Sequence, residues 1–484
     1  MILRRQSISG VKSVGLSTFV VGGLQAFQLV VLTRLLQPSD FGVMGMAMLV
    51  INFLVLFSDL GTGNALIHKG EVPEDHVSSL FWLSLFTGAV LGAATWILAP
   101  LLASMFSERR LTEVFYWATL MLIIAPIGQQ YQCLLEKWLE FRLIARAEMA
   151  AAAVGCGVAI LAAHLGGGTL ALVWGALANS ITKNLLFGLS ASGRWVPRLK
   201  YRTSDLPEYL RFGLFQTGQR ALNFVTANID FLLIGAFLGA HALGIYSLAF
   251  NLVTLVSSKI SSVVNRVLFP VLSQVQQDIE RVKRGFLKLQ QTTSMLSFPV
   301  LLGTFAVAPV AVPLFFGGKW QESIHILQIL TVVGLGRAIA GTVGPLLLVF
   351  GRTDLGFRWS VMVVVLQAPA IYAGLNLGGV EGVAIAFASM VCVFVVLNYS
   401  VLIRNLLRIS LNEYVTQIWP FLSMSLAMAA LVMGASHTTN NLTLTTQFAV
   451  LVTVGASSFI AMLWYFQRGL ALEILRLFAT QKQS

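Results

Sequence analysis

The sequence predicts an all-α membrane protein that crosses the bilayer many times. Charged side chains make up 11% of the 484 residues, against roughly 25% in soluble domains, and mean hydropathy is +0.81. Apolar runs of about 20 residues or more recur along the chain, the length a helix needs to span a hydrocarbon core. Long unbroken runs, in place of ten-residue alternation, exclude an outer-membrane barrel.

The first run, 11–33, follows the basic start "MILRRQSISGVK". It is too long for a signal-peptide core and lacks a small-residue cleavage site, so it reads as an uncleaved span. Apolar runs and their breakers then give about fourteen spans in all: 11–33, 41–67, 79–104, 111–135, 147–166, 169–192, 209–238, 242–268, 286–316, 322–350, 357–376, 380–403, 414–435 and 446–466. The turn "TRLLQPSDFG" separates the first two, "SDLGTGNALIHK" closes the second, the basic linker "SGRWVPRLKYRTSDLPEYLR" divides the sixth from the seventh, and "SHTTNNLTLTTQ" joins the last two.

Basic residues test this topology because they collect in cytoplasmic connections. With the N-terminus inside, only Arg34, Arg109, Arg110 and Lys319 fall outside, while Lys183, Arg220, Lys259 and Arg337 lie within spans. Both termini are therefore expected to be cytoplasmic. The net charge of +12 follows from topology, and no nucleic-acid partner is expected. Cys133, Cys156 and Cys392 are dispersed and the histidines show no ligand spacing, so neither disulfide, metal nor cofactor is expected.

The chain also matches itself. "LTRLLQPSDFGVMGMAML" from Leu32 aligns with "LIGAFLGAHALGIYSLAF" from Leu233 at a displacement of about 202, pairing Gly42 with Gly244; later the displacement drifts to about 216, pairing Gly128 with Gly344. Six spans separate the pairs, so the halves share one orientation and a pseudo-twofold along the membrane normal is expected. The domains read as an N-terminal lobe at 1–193, a cytoplasmic linker at 194–208, a C-terminal lobe at 209–404, and a final helix pair with its tail at 405–484.

Polar residues form stripes on four spans. Gln216, Gln219, Arg220, Asn223 and Asp230 share one side of the seventh. Asn251, Thr254, Ser258, Ser261, Ser262 and Asn265 share one side of the eighth, and the repeat sends Thr254 to Asn52 and Ser261 to Asp59. Arg220 maps to Thr18 and Asp230 to Gln28 on the first span. A cavity lined by spans one, two, seven and eight would wet all four stripes. Arg220 and Arg337 are deep enough that insertion costs about 2.5 to 3.5 kcal/mol each, so each is expected to face water, protein or an anion. The structural alternatives are helix-gluing stripes, salt bridges of either arginine to Asp230, Asp59 or Glu381, and a capping role for Asp59.

The arrangement of six, six and two spans, with the motifs above and "GQQYQCLLEKWLEFR", "NRVLFPVLSQVQQD" and "PLFFGGKW", resembles the polysaccharide-transporter branch of the multidrug/oligosaccharidyl-lipid/polysaccharide flippase superfamily, most nearly its Wzx-type exporters of the colanic-acid kind. The resemblance implies a bacterial inner-membrane flippase with no enzymatic activity, which moves an undecaprenyl-diphosphate-linked oligosaccharide by alternating access of its two lobes. It also implies membrane lipids, and a polysaccharide polymerase with its export machinery, as partners. Arg220 and Arg337 would then hold the diphosphate, since a guanidinium fork suits phosphate oxygens. Gln216, Gln219, Asn223, Asn251 and Asn52 would meet sugar hydroxyls, and Asp230 or Asp59 would bind a coupling proton or sodium ion. A cation-coupled drug exporter of the same superfamily is the main alternative, and a membrane glycosyltransferase, polymerase or ligase the second.

Overall fold

The computed structural model describes residues 2–58, 61, 73–202, 206–274 and 278–469. They form α1 (Ile2–Leu35), α2 (Pro38–Ser58), α3 (Glu74–Met105), α4 (Arg110–Lys137), α5 (Phe141–His164), α6 (Thr169–Ala191), α7 (Pro207–Gln274), α8 (Ile279–Phe316) and α9 (Ser323–Ala340). The short α10 (Val343–Val349), α11 (Thr353–Leu397), the short α12 (Arg404–Leu407), α13 (Leu411–Thr438) and α14 (Leu444–Phe466) follow. Among the described residues there is no strand, and twelve helices are long and apolar enough to cross a membrane. The chain is a multi-pass membrane protein.

Two of the long helices double back where the sequence places loops. In α7, Gly239 takes φ 83° and ψ −176°, a conformation open to glycine and closed to bulkier residues. Tyr246 donates a hydrogen bond to Asp230 at 2.5 Å, although a straight helix would separate residues sixteen apart by about 24 Å. In α11, Gly378 and Gly379 break the helix, the latter at φ 56°. A Cβ on Gly374 would stand 2.4 Å from the Gly382 carbonyl oxygen, so the two arms of α11 lie backbone against backbone.

The chain divides into two compact units, Met1–Ser247 and Leu248–Ser484, with the division inside the second arm of α7. In the first unit α5 packs on α1 and α6, and α4 on α2, α3 and α6. Small residues allow this. Ala151, Ala152, Gly155 and Ala159 are buried along α5, and Gly155 lies against the Gly175 carbonyl and Asn179 of α6. In lipid, such close backbone approach supplies the dispersion contacts that drive association.

The repeat is visible inside this unit. A Cβ on Gly42 would stand 1.7 Å from the Ala240 carbonyl oxygen, and one on Gly244 would stand 1.8 Å from the Pro38 carbonyl oxygen. The displacement read from the sequence carries Pro38 onto Ala240 and Gly42 onto Gly244. The two contacts therefore exchange partners, as a local twofold requires.

The linker is stitched to the start of α3. Arg198 N–H donates to Ser78 Oγ and Arg202 N–H to Ser79 Oγ, both at 3.2 Å, while Trp82 Nε1 donates to the Arg198 carbonyl at 2.7 Å. Arg198 and Lys200 also pair with Asp75. Trp195 turns inward and packs with Leu206, Tyr209, Val77, Leu80, Phe81 and Leu134, whereas Val196, Leu199 and Tyr201 remain exposed. At the α3–α4 connection, the Arg110 guanidinium hydrogen-bonds Glu108 at 3.1 Å and holds its carboxyl below the usual glutamate range; Arg110 also reaches Asp40 at 3.3 Å. Asp40 is buried in the first turn of α2, where it also accepts from Thr169 Oγ1 at 2.9 Å and from Gln37 N–H at 3.0 Å.

In the second unit α8 is covered by α13 and α14, and α9 packs against α8 and α11. Phe286, Phe298, Leu346, Ile403 and Phe421 form part of the sealed core of that packing.

Candidate functional site

The first arm of α7 carries the polar stripe. Thr217 is buried, Gln216, Gln219 and Arg220 are half-buried, and Asn223 and Ala227 are exposed. Arg220 stands roughly 20 Å from Pro207 and 28 Å from the Gly239 turn at 1.5 Å per residue, within the middle third of the arm. Among the described residues Arg220 makes no ion pair, with Asp230 or with any other acid. On the same arm, off the stripe, Phe224 meets Phe53 of α2 with ring centroids 5.8 Å apart, and Asn52 beside Phe53 is exposed.

The open stripe ends before Asp230. That side chain is completely buried, because the second arm of α7 folds over it and seats the Tyr246 hydroxyl on Oδ2. Periodicity put Asp230 on the wet side, but the turn at Gly239 brings a second helix onto that face. Asp59, Ser258, Ser261, Ser262 and Asn265 lie outside the residues whose placement or side chains are described.

Arg337 belongs to the second unit, and its position follows from two glycines. A Cβ on Gly334 would stand 2.7 Å from Val253, and one on Gly336 would stand 2.1 Å from Val391. Phe250 precedes Val253 by one turn and Phe387 precedes Val391 by one turn, so the close approach of α9 lays Arg337 on both rings. Its guanidinium carbon is 4.9 Å from the Phe250 centroid and 5.6 Å from the Phe387 centroid, and the two rings are stacked at 16°. Phe250 lies about 16 Å along its helix from the Gly239 turn and Phe387 about 12 Å from Gly379, distances of about half a hydrocarbon core. Aromatic faces meet the flat sides of a guanidinium and leave its N–H edge as the hydrogen-bonding rim. Asn251, adjacent to Phe250, is exposed.

Sequence reasoning singled out both arginines but not the rings. Phe250 and Phe387 are ordinary apolar residues in apolar spans, and only the contact of three helices distinguishes them. It also missed Asp40, whose signal was an acid in a first helical turn after proline. No group of three histidine, cysteine or acidic residues able to hold a metal ion occurs among the described residues.

A family model described as polysaccharide biosynthesis protein matches residues 31–325. The lipopolysaccharide biosynthesis protein WzxC of Escherichia coli (strain K12) is 32% identical over 422 residues, which cover 87% of this chain and 86% of that protein. The chain belongs to this family of Wzx-type polysaccharide transporters. The teichuronic acid biosynthesis protein TuaB of Bacillus subtilis (strain 168) is 30% identical over 94% of each chain. Among solved structures, the lipid II flippase MurJ in an inward closed conformation superposes with TM-score 0.74 at 14% identity, covering 95% of this chain and 99% of that one. An inward-facing multidrug-resistance MATE transporter superposes with TM-score 0.63 over 78% of this chain and 92% of that one, at 18% identity. These likenesses show that the chain shares the fold of the lipid II flippase and of the MATE transporter, and its family is one of transporters, not enzymes.

Proposed function

We propose that the protein is a flippase that carries an undecaprenyl-diphosphate-linked oligosaccharide across the bacterial inner membrane by alternating access, with both termini in the cytoplasm. Family membership supports the substrate class, and the two intramembrane arginines support the chemistry. A diphosphate leaving water needs donors that replace its hydration, and arginine supplies them in a planar fork. Arg220 makes no ion pair among the described residues, and Arg337 is seated on two aromatic rings. The observation that carries the reading is this aromatic seat for a cation within the spanning helices.

In this account Gln216, Gln219, Asn223, Asn52 and Asn251 hydrogen-bond sugar hydroxyls, and Asp230 takes up the coupling cation, its carboxylate oriented by Tyr246. Membrane lipids are constant partners, and a polysaccharide polymerase and export machinery receive the product. Deleting the protein in its native host should strand lipid-linked oligosaccharide in the cytoplasmic leaflet. Unchanged leaflet distribution, with altered sensitivity to cationic amphiphiles, would instead support the drug-exporter alternative.

A further inference from the structure

At the connection between α11 and α13, two arginines line a recess. Its sequence, "NYSVLIRNLLRIS", begins with a π-helical turn over Asn398–Ile403, continues through α12, and ends at Arg408 in the left-handed region with φ 51°. Leu402, Ile403, Leu407 and Ile409 are at most 2% exposed and anchor the connection in the core of the second unit. Tyr399 locks it further by donating to the Ile409 carbonyl at 3.0 Å. With these apolar residues turned in, Arg404 and Arg408, one helical turn apart, are turned out. Together with Asn405, Ile409 and Ser410 they line an open cavity of about 360 Å³.

The charges in this recess are not neutralised locally. Among the described residues neither Arg404 nor Arg408 makes an ion pair. The nearest acid in sequence, Glu413, accepts from Ser410 N–H in a capping box and pairs with Lys283 at 3.1 Å. Asn405 spends one amide hydrogen on the Val401 carbonyl at 2.9 Å.

One residue past the cavity an apolar strip begins on α13: Leu411, Val415 and Trp419 are 58%, 40% and 58% exposed at a spacing of four, and Leu426 extends it. A cationic recess at a helix end, continued by an exposed apolar strip along the same helix, matches a molecule with a phosphate head and hydrocarbon chains. Basic pockets between helices at a cytoplasmic boundary are suited to phosphate head groups.

We propose that Arg404, Asn405 and Arg408 form a binding site for the phosphate of an anionic lipid, whose chains lie along Leu411, Val415 and Trp419. A resident phospholipid and a prenyl phosphate share that chemistry. The site uses none of the residues assigned to substrate passage, so its failure leaves the flippase reading untouched.

The test uses delipidated full-length protein and native mass spectrometry with phosphatidylglycerol, phosphatidylethanolamine, undecaprenyl phosphate or inorganic phosphate added separately. Phosphatidylglycerol should bind, phosphatidylethanolamine should bind at least tenfold more weakly, and R404Q/R408Q should weaken phosphatidylglycerol at least tenfold. R281Q, which removes an exposed arginine paired with Asp278, should leave it unchanged. Tighter binding of undecaprenyl phosphate than phosphatidylglycerol, lost in the same double variant, supports the site and assigns it to the prenyl carrier. Equal phosphatidylglycerol binding by wild type and R404Q/R408Q overturns the proposal, as does equal binding of the two phospholipids. Inorganic phosphate bound as tightly as either phosphate lipid overturns the lipid part. Circular dichroism melts confirm folding, and R404K/R408K, which keeps both charges, should retain binding if the double glutamine variant does not fold.

Discussion

Replacing Arg337 separates the aromatic seat from a structural ion pair. In Arg337→Ala two cation–π contacts disappear. Each is worth about 1 kcal/mol for a half-buried cation, so unfolding stability should fall by about 2 kcal/mol. Transport should suffer more. A charge-assisted hydrogen bond to phosphate contributes about 1.5 to 3 kcal/mol, which is about ten- to hundredfold in rate or affinity. Arg337→Lys keeps a cation over the rings but loses the fork, so its stability should stay near wild type while export falls between wild type and alanine. Export of oligosaccharide at matched membrane abundance, with thermal melts of the purified variants, provides both readouts. A buried ion pair predicts another pattern: a loss of about 3 to 5 kcal/mol on breaking it, and rescue when the acidic partner is also neutralised. That rescue, or normal export by well-folded Arg337→Ala, would show that Arg337 does not hold the diphosphate.

Three further outcomes are expected. Gly42→Ala should lower the melting temperature, by about 1 to 3 kcal/mol of overpacking, because its Cβ falls 1.7 Å from the Ala240 carbonyl oxygen; Gly244→Ala should cost a similar amount by the exchange of partners. Tyr246→Phe removes the hydroxyl that orients the Asp230 carboxylate, so it should alter the dependence of export on the proton or sodium gradient while export under a saturating gradient persists; an unchanged ion dependence would remove Asp230 from coupling. Ser78→Ala combined with Trp82→Phe frees the linker backbone at Arg198, so limited proteolysis at 194–202 should accelerate several-fold over wild type, and equal rates would show that the Asp75 ion pairs, the Arg202–Ser79 bond and the packing of Trp195 hold it without these two bonds.

Sequence and structure agree where one periodic signal decides the outcome. Long apolar runs became long helices, and the glycines at 239 and 378–379 turn the chain where the breakers in the sequence had placed loops. The displacement relating Gly42 to Gly244 reappears as a pair of contacts that exchange partners. Features that depend on tertiary packing were not legible. Periodicity puts Asp230 in line with Asn223, yet the returning arm of α7 seals it; Trp195 stands in a basic linker beside exposed Val196 and Leu199, yet Phe81 and Tyr131 draw its indole inward. The rings beside Arg337 come from residues 250 and 387, and nothing local to either announces a cation. Their meeting depends on Gly334 and Gly336, which admit Val253 and Val391.

The most direct test of the flippase account measures which leaflet holds the lipid-linked oligosaccharide. Spheroplasts from cells lacking the protein, complemented with wild type or with Arg220→Ala/Arg337→Ala at equal abundance, would be probed with a membrane-impermeant reagent that modifies only periplasm-facing glycan. Wild type should restore labelling, and the double variant, although folded and membrane-inserted, should leave the glycan protected on the cytoplasmic side. Labelling in the deletion strain equal to wild type would contradict the account.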